Sequence, residues 1–357
     1  MRKRLRNLAL LLFIVVAYVL VFPRPSGTEP LLARQWMLSL GGAQTEASAG
    51  SRVRPFRVGE RFGYFHTDGR LLYAGRVRYG LAQSREYFSN YSAISENVVL
   101  QRSDGSLYRS IPAEGYPLLD GSRLYVFGPS GSAVSEWEPE DGGTLAWSRD
   151  FLSVLTDLDG GPSRTAVGLL NGGIELLGAD GESEFSYDTE GSRLAVTLAV
   201  ALGPGEEALA AVAGLDPQKL VLFEKHTEGF FPTFQLELES EYRRPVLLEF
   251  LQDGRLLVAE QEDGVLVYDR EHETFATIDL GGSVEGVAAL SQFELLLATS
   301  QVGEGGAGGR GFHAVLSSGE RLFRQTVAAE HVFLSGDESR IYFGFDGRLG
   351  CIELVNG

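Results

Sequence analysis

Sulfur and imidazole are scarce in this chain. Its 357 residues include one cysteine, two methionines and five histidines. A single cysteine excludes an intramolecular disulfide and any zinc site built from several thiolates. Cys351, set in the apolar run LGCIEL, reads as a small buried hydrophobe. His66, His226, His272, His313 and His331 are scattered along the chain with no metal-ligand spacing between them, so no metal is expected. Nucleophile motifs are missing too. No Gly-x-Ser-x-Gly occurs, and the serine strings GPSGS (128–132) and GDES (336–339) fall in predicted turns. Asp157-Leu158-Asp159-Gly160 starts like a calcium loop but lacks the third oxygen ligand and the closing Glu. Positive charge is in deficit, with 31 Lys and Arg against 48 Asp and Glu, a net charge of −17. Four of the cations, Arg2, Lys3, Arg4 and Arg6, sit at the N-terminus, so the rest is more acidic still. Such a body repels nucleic acid, and none is expected as a partner.

What the chain does have is glycine, 45 residues of it, mostly in DG, GG and SG pairs that end short apolar runs. That is the punctuation of an all-β chain, and helical periodicity is hard to find. The exception is the N-terminus, where the basic cluster precedes fifteen apolar residues from Leu8 to Phe22. This is an export signal or a membrane anchor. No small-residue cleavage site follows the run, so residues 1–24 are read as an uncleaved transmembrane anchor in the inner membrane. The remainder would then lie outside, with 25–33 as a linker; cleavage would instead give a secreted or periplasmic protein.

Apolar runs recur about every 43 residues: RLYVFG at 123, TAVGLL at 165, ALAAVAG at 208, RLLVAEQ at 255, ELLLATS at 294 and RIYFGF at 340. The stretch from 245 to 282 reads as four strands joined by QDG, EDG and REHE turns. A repeated four-stranded antiparallel unit of this length is a β-propeller blade, which buries its faces only against its neighbours. Within the repeat, the turn Glu140-Asp141-Gly142-Gly143 is followed by Trp147, and equivalent turns are followed by Phe185, Phe275 and Phe323. These rings are expected to fill gaps between blades near the rim. The string from Asp141 to Trp147 resembles the repeat of bacterial quinoprotein-like (PQQ-type) propellers, within the wider WD40-like superfamily; no Trp-Asp dipeptide occurs, so WD40 repeats proper match less well. The resemblance includes non-enzymatic envelope members such as the propeller lipoprotein of the outer-membrane assembly machinery.

The last segment supplies three strands and stops. Gln35-Trp36-Met37-Leu38-Ser39-Leu40-Gly41-Gly42 reads like Phe275-Ala276-Thr277-Ile278-Asp279-Leu280-Gly281-Gly282, so residues 34–42 are expected to complete the last blade. Six blades are readable after residue 116, while 51–115 holds two DG hairpins in little space. Seven blades are expected, with eight as the alternative, in one propeller domain spanning 34–357.

Two segments are candidate partner contacts. EKHTEGFFPTF (224–234) would project Phe230 and Phe231 as a loop, and VGEGGAGGRGFH (302–313) would carry Arg310, Phe312 and His313. No catalytic residue or cofactor is expected: a quinone cradle needs metal ligands and stacking partners, and three tryptophans are a poor supply. The function read from these features is a membrane-anchored, extracytoplasmic, monomeric propeller that scaffolds an envelope protein partner. A sensor binding a glycan or peptide in the axial channel is the alternative, and a quinoprotein-like dehydrogenase is a weaker one.

Overall fold

The computed structural model describes residues 30–41, 52–92, 96–290, 295–301, 309–316 and 319–356. They form eight antiparallel sheets, the blades of a propeller. In chain order the blades span residues 53–76, 80–111, 116–150, 155–188, 194–238, 248–279, 284–327 and 332–356, and are called blades 1 to 8. Each blade's first strand lies innermost. The seven-blade expectation is thereby corrected to eight. Both DG hairpins of the 51–115 region belong to blades of their own. Blade 2 fits because its four strands are only four or five residues long, and blade 1 because it has three described strands. Residues 42–51, which precede blade 1, lie outside the described residues.

The sheet of blade 8 runs Pro30–Ser39, Arg348–Asn356, Arg340–Phe345, Val332–Gly336, so a strand from the start of the chain is its outermost member. That strand begins four residues ahead of the expected 34, and takes in residues assigned to a linker. Leu40 is buried at its end just as Leu280 is in blade 6, which is the physical content of the sequence echo between the two segments. The expected N-terminal membrane helix, and with it single-pass inner-membrane anchoring, is corrected as well. No helix among the described residues is long and apolar enough to cross a membrane. Residues 1–24, where that anchor was placed, lie outside the described residues.

Middle strands are sandwiched between neighbouring blades and buried on both faces, which is why they read as unbroken apolar runs. Thr165–Leu169, Leu256–Gln261 and Gly264–Asp269 are buried at every position. Outer strands are wet; Arg321–Val327 is exposed along nearly its whole length. The inner strands have one unpaired backbone edge each, and carboxylates reach across the joints to meet it. Asp120 of blade 3 accepts from the Gly160 N–H at 2.7 Å, and Asp157 and Asp159 of blade 4 accept from Val200 and Leu202 at 2.9 and 2.6 Å. Glu260 of blade 6, buried, accepts from Leu247 N–H at 3.1 Å and Val284 N–H of blade 7 at 3.3 Å while paired with Arg244. Arg54 of blade 1 closes the circle onto Asp337 of blade 8 at 2.6 Å. Enclosed charge-assisted bonds such as those of Glu260 and the Arg54–Asp337 pair contribute about 1.5–3 kcal/mol each.

Candidate functional site

The outer joints share a second device: a side chain on the outermost strand of one blade covers the glycine turn of the next. Trp147 lies within the strand Thr144–Asp150, 6% exposed, among Tyr125, Leu158, Leu169 and Leu177. Its ring sits over Gly181, where a Cβ would come within 2.7 Å of it; the positive φ of that residue, +79°, already favours glycine. Trp36 covers Gly69 in the same way and donates its indole N–H to the Thr67 carbonyl at 3.1 Å. Tyr73 covers Gly105, and Ile111 with Arg109 covers Gly143. The two joints of blade 5 use rings alone. Phe185 meets Phe223 and Phe230 at 5.3 and 5.7 Å, and Phe234 stacks on Tyr268 at 4.0 Å.

Two of the expected pegs do not act as pegs. Phe275 is 54% exposed, and Ala276 is the nearest side chain to Gly319 instead. Phe323, 43% exposed, faces blade 8, whose third and fourth strands come from opposite ends of the chain and have no connecting turn. With no turn to cover, the joint between blades 7 and 8 stays open at its outer end as an apolar groove of about 360 Å³. Leu32, Phe312, Phe323, Phe343, Phe345 and Leu354 are among its lining residues. Leu322 and Leu32, both about half exposed, stand at its rim.

The candidate contact residues are placed differently from the sequence expectation. Phe230 and Phe231 are not on an irregular loop. They lie in the strand Gly229–Leu238, whose ladder with Gln218–His226 continues to the His226–Gly229 pair. Phe230 is buried against Phe185, and only Phe231 is exposed, beside His226 at 5.9 Å. Arg310, Phe312 and His313 likewise lie in a strand, Arg310–Leu316. Arg310 is ion-paired with Glu285 at 2.8 Å, Phe312 enters the groove, and His313 is buried at 2% exposure. The Ser300 hydroxyl donates to the Leu280 carbonyl at 3.1 Å, so His313 Nε2 donates to Ser300 Oγ at 3.0 Å. Burial, reinforced by Arg324 and Arg321, pushes the imidazole pKa down to about 4. The ring is therefore uncharged, and with its Nε2–H donated to Ser300 that nitrogen has no lone pair to accept the serine proton.

A second concavity lies on the axis, a polar recess of about 580 Å³ between the inner strands of blades 4, 5 and 6. Asp157, Asp159 and Glu249 face it. Enclosure by the surrounding strands pushes their carboxyl pKa values up to about 6, 7 and 7. For Asp159, the neighbouring Asp120 carboxylate adds to the rise. Among the described residues no group of three or more His, Cys, Asp or Glu side chains is arranged to hold a metal ion. Sequence reasoning missed Leu32, Phe343 and Phe345 of the groove; in RIYFGF, Ile341, Phe343 and Phe345 fall at alternate positions and share one strand face, but nothing local marks that face as uncovered.

The model of a family described as "beta-propeller protein" matches residues 2–357. The chain belongs to this β-propeller family. A protein of Treponema pallidum (strain Nichols) described as "Uncharacterized protein" is 24% identical over 352 residues, covering 96% of this chain and 92% of the relative. Among solved structures, BamB from Moraxella catarrhalis superposes with a TM-score of 0.59 at 14% identity, over 90% of this chain and 98% of that one. At that identity the likeness establishes the shared propeller fold and leaves the role of this propeller to its own surface.

Proposed function

We propose that this propeller is a non-catalytic protein-interaction scaffold of the bacterial envelope, holding an envelope protein partner on the extracytoplasmic side. The observation that carries this reading is the open groove between blades 7 and 8. It is apolar, half open, and mounted on a rigid ring whose other joints are closed by rings or glycine turns. Exposed apolar concavities of this size on a folded body are where partners dock. The basic cluster and apolar run at the N-terminus support an exported location. Crosslinking followed by affinity isolation tests it, comparing the native chain with a Leu322→Ser/Phe323→Ser variant. The native chain should yield a stoichiometric protein partner, and the variant should lose it while its Tm moves by no more than about 2 °C. A partner retained by the variant would place docking elsewhere on the ring, and no stoichiometric partner at all would overturn the scaffold.

A second reading, a sensor of a small glycan or peptide, is favoured by one observation, the axial recess with its three carboxylates. An Asp157→Asn/Asp159→Asn variant separates the two: it should leave partner isolation intact under the scaffold reading.

A further inference from the structure

The wall that blade 8 turns toward blade 7 can be followed through strand pairing, because residues directly opposite in an antiparallel ladder share a face. Leu32 pairs with Leu354, Arg34 with Ile352, and Phe345 with Arg348. Leu32, Leu354, Ile352 and Phe345 line the groove, so Arg34 and Arg348 stand on the same wall. Both are exposed, and among the described residues neither has an ion-pair partner. No carboxylate of blade 8's ladders shares that face. Glu353 pairs across the ladder with Ala33 and Arg340 on the opposite side, where Gln35 bonds it at 2.7 Å. On the blade 7 wall, Glu285 is neutralised by Arg310. A chain of net charge −17 therefore presents, at the open joint between blades 7 and 8, an apolar floor with two cations above it that are unmatched among the described residues.

The groove also runs between two outermost strands, Arg321–Val327 and Pro30–Ser39, each with a backbone edge that no strand pairs among the described residues. Only a peptide can use such an edge, by adding a strand to it. Resting on the scaffold reading, we infer that the groove takes an extended segment of a partner protein, apolar along one face and carrying carboxylates that pair with Arg34 and Arg348. Arg34 sits opposite Ile352, four residues along the strand from Arg348, a separation of about 13 Å. An extended segment matches that with Asp or Glu at positions i and i+4 and an apolar residue between them at i+2.

The probe is a labelled peptide, Leu-Thr-Glu-Thr-Leu-Thr-Glu-Thr-Leu, titrated against the full chain by fluorescence anisotropy beside its counterpart with Lys in place of Glu. The Glu peptide should bind about tenfold tighter at low salt. The Arg34→Glu/Arg348→Glu variant should reverse the preference, and Phe323→Ser should weaken both peptides. Equal binding of the two peptides, or a preference that survives the charge reversal, overturns the inference. So does binding of phosphatidylglycerol vesicles at the groove without binding of the peptide. A photo-crosslinker at Leu322 separates this from the scaffold itself. A captured partner whose mapped segment is apolar and acidic supports both. Capture through a segment without carboxylates overturns the inference and leaves the scaffold standing, and a chain that captures nothing there while its partner crosslinks elsewhere removes the groove from both.

Discussion

Trp147 and Phe275 follow equivalent turns in the repeat, yet the propeller uses them differently, and replacing each with Ala measures the difference. Truncating a buried aromatic costs about 3–5 kcal/mol. Trp147 fills the joint between blades 3 and 4 and covers Gly181, so it belongs in that range. One term pulls the other way. Its indole N–H is buried without a hydrogen-bond partner, and removing it relieves about 1–2 kcal/mol of desolvation. The expected net loss for Trp147→Ala is thus about 3 kcal/mol. Phe275, more than half exposed, should lose less than about 1 kcal/mol. Urea unfolding of both variants beside the native chain reads this as a midpoint shift at unchanged slope. Equal losses, or a Trp147 loss below about 1 kcal/mol, would refute the view that exposure at the joint and not position in the repeat decides which rings hold the blades together.

Two further outcomes follow from the ring. Deleting residues 30–41 strips the strand that pairs with Arg348–Asn356 and the ring that covers Gly69; circular dichroism melting should lose its cooperative transition and size-exclusion should show association through the exposed edge, whereas an unchanged melt would contradict closure by this strand. The raised carboxyls of Asp157, Asp159 and Glu249 stay protonated in the fold at a pH where the unfolded chain has already ionised, so their contribution is full below about pH 4 and is lost as pH rises through 6 to 7. The Tm at pH 8 should therefore lie about 2–4 °C below its value at pH 5, and Asp159→Asn, which keeps an acceptor for Leu202 N–H, should shrink that gap; a Tm that rises between pH 5 and 8 would show the recess carboxylates to be well solvated.

Much of the ring was legible because propeller strands buried on both faces leave unbroken apolar runs, as at Thr165–Leu169 and Leu256–Gln261. The closing strand was legible for a related reason: Leu40 and Leu280 fill the same buried place before a glycine pair. Blade number was not, since blade 2 manages with strands of four or five residues, shorter than the repeat that reveals the others. Phe230 and Phe231 misled because Phe-Phe-Pro breaks the alternation of a strand, while the ladder through His226 and Gly229 holds it extended all the same. The groove left no local signal. Leu32 and Phe323 meet only because the ring closes, and burial of Asp159 likewise depends on a neighbouring blade that contributes no residue next to it in the chain.

Closure of the ring and the open groove are two aspects of one event. A blade completed by the opposite end of the chain cannot have a turn between its last two strands, and the preceding blade's peg is then left facing an open joint. Phe323 is in that position, and the opening it leaves is the apolar groove. The other side of blade 8 is closed by several kinds of contact. Trp36 covers Gly69 and bonds Thr67, Arg54 pairs with Asp337, and the same guanidinium lies 4.8 Å above the Tyr342 ring. The joint between blades 8 and 1 is thus closed by several contacts at once, while the joint between blades 7 and 8 keeps its outer end open. A partner seated there would supply the cover that every other joint draws from its own chain, and its binding would stabilise the ring by an amount that grows with the logarithm of its concentration above Kd.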